Sequence, residues 1–328
     1  MVAIGAYMLS CSSAGVDPPD DAAVDGMAEE APAASSVMEP GDAIRRISEL
    51  EAEDGVFGFD LGDPDGDASV PEVSKEFAKT VEETAETYES TMWTDFAFLL
   101  MDVESGRGYA YNIDEEFYGA SSFKGPFLMY VCEEFLDTGR VTLDYELSNN
   151  GQGVEYTPST LRLDDIANTM ILHSDNTCYA LLRQNFGTDP AYADWLETVG
   201  LSIDEFDYST WYPHYTVRQA AMVWSHIREY IESDAEHAEW YKDLLSQTHQ
   251  STIREVLDAD PGVDATVYNK AGWINDDDYA ATIDNGIIYM DGHTYLLSVL
   301  SSVRYSEANY DYFVSLVEMA LSEIDVLA

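Results

Sequence analysis

Basic side chains are what this chain most lacks. Fifteen Lys and Arg stand against 63 Asp and Glu in 328 residues, a formal charge of −48. A surface of that sign repels phosphate backbones and anionic lipid surfaces, which excludes nucleic acid as an expected partner. The excess is not confined to one tail: residues 1–75 hold 17 acidic and three basic side chains, and the rest of the chain carries −34. It reads as a heavily solvated surface suited to its surroundings, a salty medium being one example, rather than as a cation-binding device. Lysine occurs only at Lys75, Lys79, Lys124, Lys242 and Lys270. Lys124 and Lys270 sit among apolar neighbours, and a lysine kept there needs a reason.

Cysteine is scarce as well. Cys11, Cys132 and Cys178 show no metal-ligand spacing, so neither a metal nor a cofactor is expected. Cys132 and Cys178 fall within apolar helical patterns and read as buried free thiols, with a disulfide left open outside the cytoplasm. No apolar run after the N-terminus reaches the ~18 residues that a membrane-spanning helix needs.

Cys11 closes the short apolar stretch Met1 to Leu9, and Met8-Leu9-Ser10-Cys11 resembles a bacterial lipobox. In that motif the cysteine becomes the acylated first residue of the mature protein; the usual cationic start is missing here. Ser12 to Pro40 is rich in Ala, Ser, Pro, Asp and Glu, a composition that cannot bury a core. The expected organisation is a lipoprotein signal over 1–11, an acidic disordered tether over 12–70, and one domain over 71–328. The expected location is outside the cytoplasm, secreted or held at the cell membrane through a lipid alone.

From Pro71 the periodicities are strong. Val73, Phe77, Val81 and Ala85 mark one face of a helix over Glu72–Tyr88. Phe96–Val103 and Gly108–Ile113 flank a turn signal and predict a β-hairpin. Ser121–Leu136 reads as an apolar helix, and Leu163–Phe186 as two helices broken around Ser174-Asp175-Asn176. Thr216–Ile231 is helical with Thr216 as its cap, and shorter helices cover Trp240–Leu245 and Ser251–Leu257. Then the period changes to two: Thr266–Trp273, Tyr279–Met290 and Thr294–Ser302 predict three strands, and Tyr305–Leu327 a closing helix. The expected fold is α+β: an antiparallel sheet with flanking terminal helices, plus an inserted all-helical lobe and a cleft between them.

Three short motifs carry the chemistry. Ser121-Ser122-Phe123-Lys124 places a hydroxyl and an amine three residues apart, on one helical face. A serine opening a helix has a free N–H to offer an oxyanion, and a desolvated lysine beside another cation loses its proton readily. Ser174-Asp175-Asn176 and Lys270-Ala271-Gly272 follow in order. The first and third alone are weak, Ser-Asp-Asn is rarer by chance, and the three in this order are a strong signal.

These residues resemble the signatures S-x-x-K, S-D-N and K-T-G of the class A β-lactamase and penicillin-binding-protein superfamily of serine hydrolases. The stretches "ILHSDNTCYALL" and "NKAGW…YAATIDNGIIY" read like the corresponding parts of such proteins. The resemblance implies Ser121 as nucleophile, Lys124 as base, and Ser174 as proton relay to the leaving nitrogen. It implies Asn176, Lys270 and Gly272 as substrate-binding residues and the backbone N–H groups of Ser121 and Trp273 as the oxyanion hole. The implied partner is a small-molecule or cell-wall peptide substrate, a β-lactam or a D-Ala-type amide, and a monomer is expected.

Two positions depart from the family. Ala271 stands where a Ser or Thr hydroxyl usually helps bind the substrate carboxylate. The stretch Phe206–Thr216, FDYSTWYPHYT, lacks the glutamate that activates the deacylating water; Asp207 and Glu205 are nearby but off register. Slow deacylation is therefore expected, and a non-catalytic surface lipoprotein that keeps the fold for binding is the alternative. His173 and His214 read as structural rather than catalytic, and Trp211, Tyr212 and Tyr215 as core packing.

Overall fold

The computed structural model describes residues 41–62, 70–148, 160–204, 206–276 and 279–327. Cys11 and most of the expected tether lie outside them. The strands are β1 (Phe57–Asp60), β2 (Phe96–Asp102), β3 (Arg107–Tyr111), β4 (Phe117–Tyr118), β5 (Glu146–Ser148), β6 (Thr160–Arg162), β7 (His214–Tyr215), β8 (Ala265–Asn275), β9 (Ala280–Met290) and β10 (His293–Ser301). Six form one sheet in the order β1-β3-β2-β10-β9-β8, antiparallel at every pairing. Strands from the two ends of the chain thus share a sheet, and β8 is an outer edge. Two short ladders, β4 with β7 and β5 with β6, pin the loops of the middle segment.

All seven residues of β2 are buried, because both faces of the sheet are covered. Their alternation divides them. Ala97, Leu99 and Met101 join a large core with the helices of the middle segment, including α3 (Lys124–Val131) and α7 (Val217–Ile231). Phe96, Phe98 and Leu100 join a second core with α2 (Lys75–Thr87), α9 (Thr252–Asp258) and α10 (Glu307–Leu321). At about 25 cal/mol per Å2 of apolar surface, each such side chain contributes on the order of 2 kcal/mol. The α+β layout, with terminal helices on one face and the helical lobe on the other, is as the periodicities imply.

The ordered domain begins earlier than the expected boundary at Pro71. Helix α1 (Asp42–Ser48) buries Ala43, Ile44 and Ile47, and β1 adds a strand to β3 with Phe57 and Phe59 inside. The signal was weak because each apolar group is short and flanked by Gly and Asp, so neither segment is stable without the surface it covers. Helix α6 (Ala191–Thr198), which buries Tyr192, Trp195 and Leu196, also escaped the periodicity reading.

Candidate active site

Ser121 stands on a single 3-10 turn, Ala120–Phe123, that runs into α3. Ala120, immediately before it, has φ +45°, a left-handed conformation that strains a residue with a Cβ. The turn is held from behind. Ser122 Oγ donates to the Gly119 carbonyl at 2.5 Å and shares a hydrogen bond with the Tyr215 hydroxyl, which also accepts from Asn285 Nδ2 at 2.9 Å. All three side chains are buried. Sequence reasoning assigned no role to Ser122 or Asn285 and took Tyr215 as packing; residues 93 and 163 positions away give no local signal.

Lys124, three positions on, is fully buried. Its Nζ donates to the Ser174 carbonyl at 2.6 Å and to Asn176 Oδ1 at 2.6 Å, and lies 3.5 Å from Ser174 Oγ. Burial, aided by the charge of Lys270, lowers its pKa to about 7. Among the described residues no hydrogen bond joins Lys124 to Ser121 Oγ.

Ser174-Asp175-Asn176 is a junction in which each residue has its own conformation. Ser174 ends α4 (Leu163–His173) with φ +57°, Asp175 caps α5 (Asn176–Phe186) by accepting from the Cys178 amide at 2.7 Å, and Asn176 opens α5. The cap is Asp175, so Ser174 Oγ is free to face the amines: Lys270 Nζ donates to it at 3.1 Å. Lys270 also donates to the Ala271 carbonyl at 2.7 Å, and burial lowers its pKa to about 8 against the pull of Asp284. Asn176 Oδ1 takes a second bond, from the Tyr212 hydroxyl at 3.1 Å. With both donors on Oδ1, the Asn176 amide nitrogen is the atom left for a ligand.

Gly272 completes the arrangement. A Cβ there would stand 2.5 Å from the Ser122 amide nitrogen and 2.8 Å from that of Ser121. Only a glycine lets the edge strand β8 reach the turn that carries Ser121. Ser121, Lys124, Ser174, Asn176, Lys270 and Gly272 are thus brought together, and Trp273 follows Gly272 on the same edge.

A profile of the Beta-lactamase enzyme family matches residues 76–317. The chain belongs to that family. Solved β-lactamases with the same fold include one from Chitinophaga pinensis (18% identity, TM-score 0.61, covering 76% of this chain and 100% of that one) and one from Sphaerobacter thermophilus (18%, 0.61, 75% and 97%). PBP-A is equally similar, at 18% identity and TM-score 0.61 over 74% of this chain and 95% of its own. No curated protein sequence matches the chain.

His173 packs its exposed ring against His249, and His214 lies against Tyr118; neither hydrogen-bonds Ser121, Lys124 or Ser174. Asp207 accepts from Ser209 N and Oγ within its own turn, and Glu205 lies outside the described residues. Among the described residues no carboxylate hydrogen-bonds Ser121, Lys124 or Ser174. Tyr212 is partly buried packing as expected, but its hydroxyl also reaches Asn176. Cys132 and Cys178 are buried free thiols. Asp102, Glu104 and His293 bring ligating atoms within 4.8 Å of one another. Those atoms already have partners: Asp102 bonds His293 Nδ1 at 2.5 Å, and Glu104 accepts from the Thr294 amide at 2.8 Å.

Proposed function

We propose that this β-lactamase-like serine hydrolase is acylated at Ser121 by β-lactam or D-Ala-type amides and releases the acyl group slowly. The observation that carries the reading is the position of Ser174 Oγ between two buried amines, 3.5 Å from Lys124 Nζ and 3.1 Å from Lys270 Nζ. With its pKa near 7, much of Lys124 is neutral at physiological pH and accepts the Ser121 proton as Oγ bonds to the substrate carbonyl carbon. The oxyanion is held by the N–H groups of Ser121 and Trp273; β8, which carries Trp273, is an outer strand of the sheet. Collapse breaks the carbon–nitrogen bond. Ser174 Oγ gives its proton to the leaving nitrogen and regains one from the Lys124 ammonium, while Lys270 steadies the negative charge between. Asn176 Nδ2 donates to the acyl-side amide carbonyl.

Hydrolysis of the ester then needs a base on a water molecule, and no described carboxylate bonds to this cluster. Labelled penicillin incubated with wild type and Ser121→Ala, read by intact mass, tests the proposal. A long-lived adduct on wild type alone is the expected result. No adduct and no turnover with either protein would reject it and favour the binding-module alternative. We also propose that acylated Cys11 holds the protein at the outer face of the cell membrane; Cys11→Ala should release it from membrane fractions.

A further inference from the structure

Residues 208–212 cross between two fixed points. Before them Phe206 is buried against Phe123, with ring centroids 5.4 Å apart, and after them β7 pairs with β4. Among the described residues no strand pairs with the stretch between, and its carbonyls go to side chains instead. The Tyr179 hydroxyl donates to the Trp211 carbonyl at 2.6 Å. The Arg183 guanidinium donates to the carbonyls of Tyr208 and Thr210, at 3.1 and 3.3 Å. The Tyr212 hydroxyl then reaches Asn176 Oδ1 at 3.1 Å.

These three partners of the loop stand on one helix. Asn176, Tyr179 and Arg183 follow one another along α5 at spacings of three and four, which puts them on one face. The loop runs along that face, anchored about once per turn. Both inner anchors are buried. Arg183 forms no ion pair among the described residues; its guanidinium lies 4.7 Å from the Phe127 ring centroid and 5.0 Å from that of Tyr192, and donates to the Tyr192 hydroxyl at 3.2 Å. A cation out of water is unfavourable unless its donors are used, and here two of the acceptors are loop carbonyls. Burial pushes the Tyr179 hydroxyl well up, so it stays a donor. The Tyr179 ring also lies under Lys124, with Nζ 5.7 Å from its centroid.

We propose that Tyr179 is a positioning residue for recognition of the acyl-side amide: its hydroxyl, with Arg183 one turn further on, holds the loop where Tyr212 can fix the Asn176 side chain. The inference rests on the acylation of Ser121 and the role of Asn176 proposed above. Without the Tyr179 hydroxyl the Trp211 carbonyl loses its partner, and Tyr212, the next residue, is released from Asn176. The amide of Asn176 then keeps only Lys124 as a donor to Oδ1 and is free to turn.

The test uses the full-length protein with Tyr179→Phe, which keeps the ring under Lys124 and removes the hydroxyl alone. The dependence of acylation on penicillin concentration, read by intact mass, gives an apparent affinity and a limiting rate. The affinity is expected to weaken about threefold to tenfold, with the limiting rate changed less and the pH midpoint of acylation kept. In a Tyr212→Phe background the same substitution should cost less than about twofold more, because the residue it acts through is gone. Arg183→Lys, which cannot span both carbonyls, should act in the same direction and with the same dependence on Tyr212. Wild-type affinity in Tyr179→Phe, losses that multiply in full in the double variant, or a displaced pH midpoint would overturn the proposal. Should penicillin not label wild type, the acylation reading fails by itself. Hydrogen exchange then decides the anchoring: faster exchange over residues 206–215 alone in Tyr179→Phe supports it, and unaltered exchange there rejects it.

Discussion

Gly272 and Ser121 are in backbone contact: a methyl group on residue 272 would come within 2.8 Å of the Ser121 amide nitrogen. The edge strand is thus a seat for the Ser121 turn. The turn must move if the seat is raised, since the obstructing atoms are backbone rather than the end of a flexible side chain.

Gly272→Ala is therefore expected to slow penicillin acylation by roughly a hundredfold or more, the usual effect of losing an oxyanion donor. Adduct formation followed by mass, with a thermal melt beside it, checks this. Acylation at the wild-type rate in a folded variant would show that the close approach is not needed.

The proposed role of Lys124 as base ties acylation to pH. Its folded pKa of about 7 lies below the 10.5 of the free side chain, so the fold disfavours the protonated form. Acylation should rise as pH is raised through about 7. Stability follows the same sign: the penalty is complete below about 7 and is lifted as pH rises from there toward 10.5, where the unfolded chain holds a proton that the native state does not. Lys124→Met should abolish acylation yet raise stability below pH 7 by about 1–4 kcal/mol, as removal of a buried charge can do. Denaturant unfolding at several pH values measures it, and a variant less stable than wild type below pH 7 would contradict the assignment.

Tyr212 donates to Asn176 Oδ1 at 3.1 Å, which suits it to orient that amide in the proposed reaction. Burial pushes its hydroxyl up to about 12, so it remains a donor to Asn176 Oδ1. Tyr212→Phe leaves one donor on that oxygen and lets the amide turn. The apparent affinity for penicillin should weaken about threefold to tenfold, the worth of one hydrogen bond, with the limiting acylation rate changed less. A large fall in the limiting rate with unaltered affinity would place Tyr212 in the proton path instead.

The N-terminal segment before Pro71 belongs to the fold. A chain begun at Pro71 loses α1 and β1, and with them the burial of Ile44, Ile47, Phe57, Phe59 and Leu61. It also bares the β3 edge, an invitation to aggregate. Loss of more than about 3 kcal/mol is expected in denaturant unfolding. A truncated protein as stable as the full chain would restore the original boundary.

Much of this was legible in order of residues. The period of 3.6 in α2, the cap Thr216 at the start of α7, and the alternation through β8, β9 and β10 each report a structure set by near neighbours. The break at Ser174-Asp175-Asn176 was legible for the same reason, although the division of labour was not: Asp175 caps the helix, and Ser174 is released to face the amines. Helix α6 and strand β1 were not legible, because their short apolar groups acquire meaning only from the surfaces that bury them.

The sequence by itself determined which reactive groups exist and their chain order: Ser121 and Lys124 one turn apart, then Ser174 with Asn176, then Lys270 with Gly272. It also showed that the glutamate expected between the second and third motifs has no clear equivalent. Only the tertiary structure decided what state those groups are in. Lys124 is a weak base because it is buried and because Lys270, 146 residues away, stands close enough to repel its proton. Ser121 is aimed because Tyr215 and Asn285 hold its neighbour from behind and Gly272 meets it from the front. Proton affinity and orientation come from what surrounds a group in space, and that surrounding is assembled from residues the chain keeps far apart.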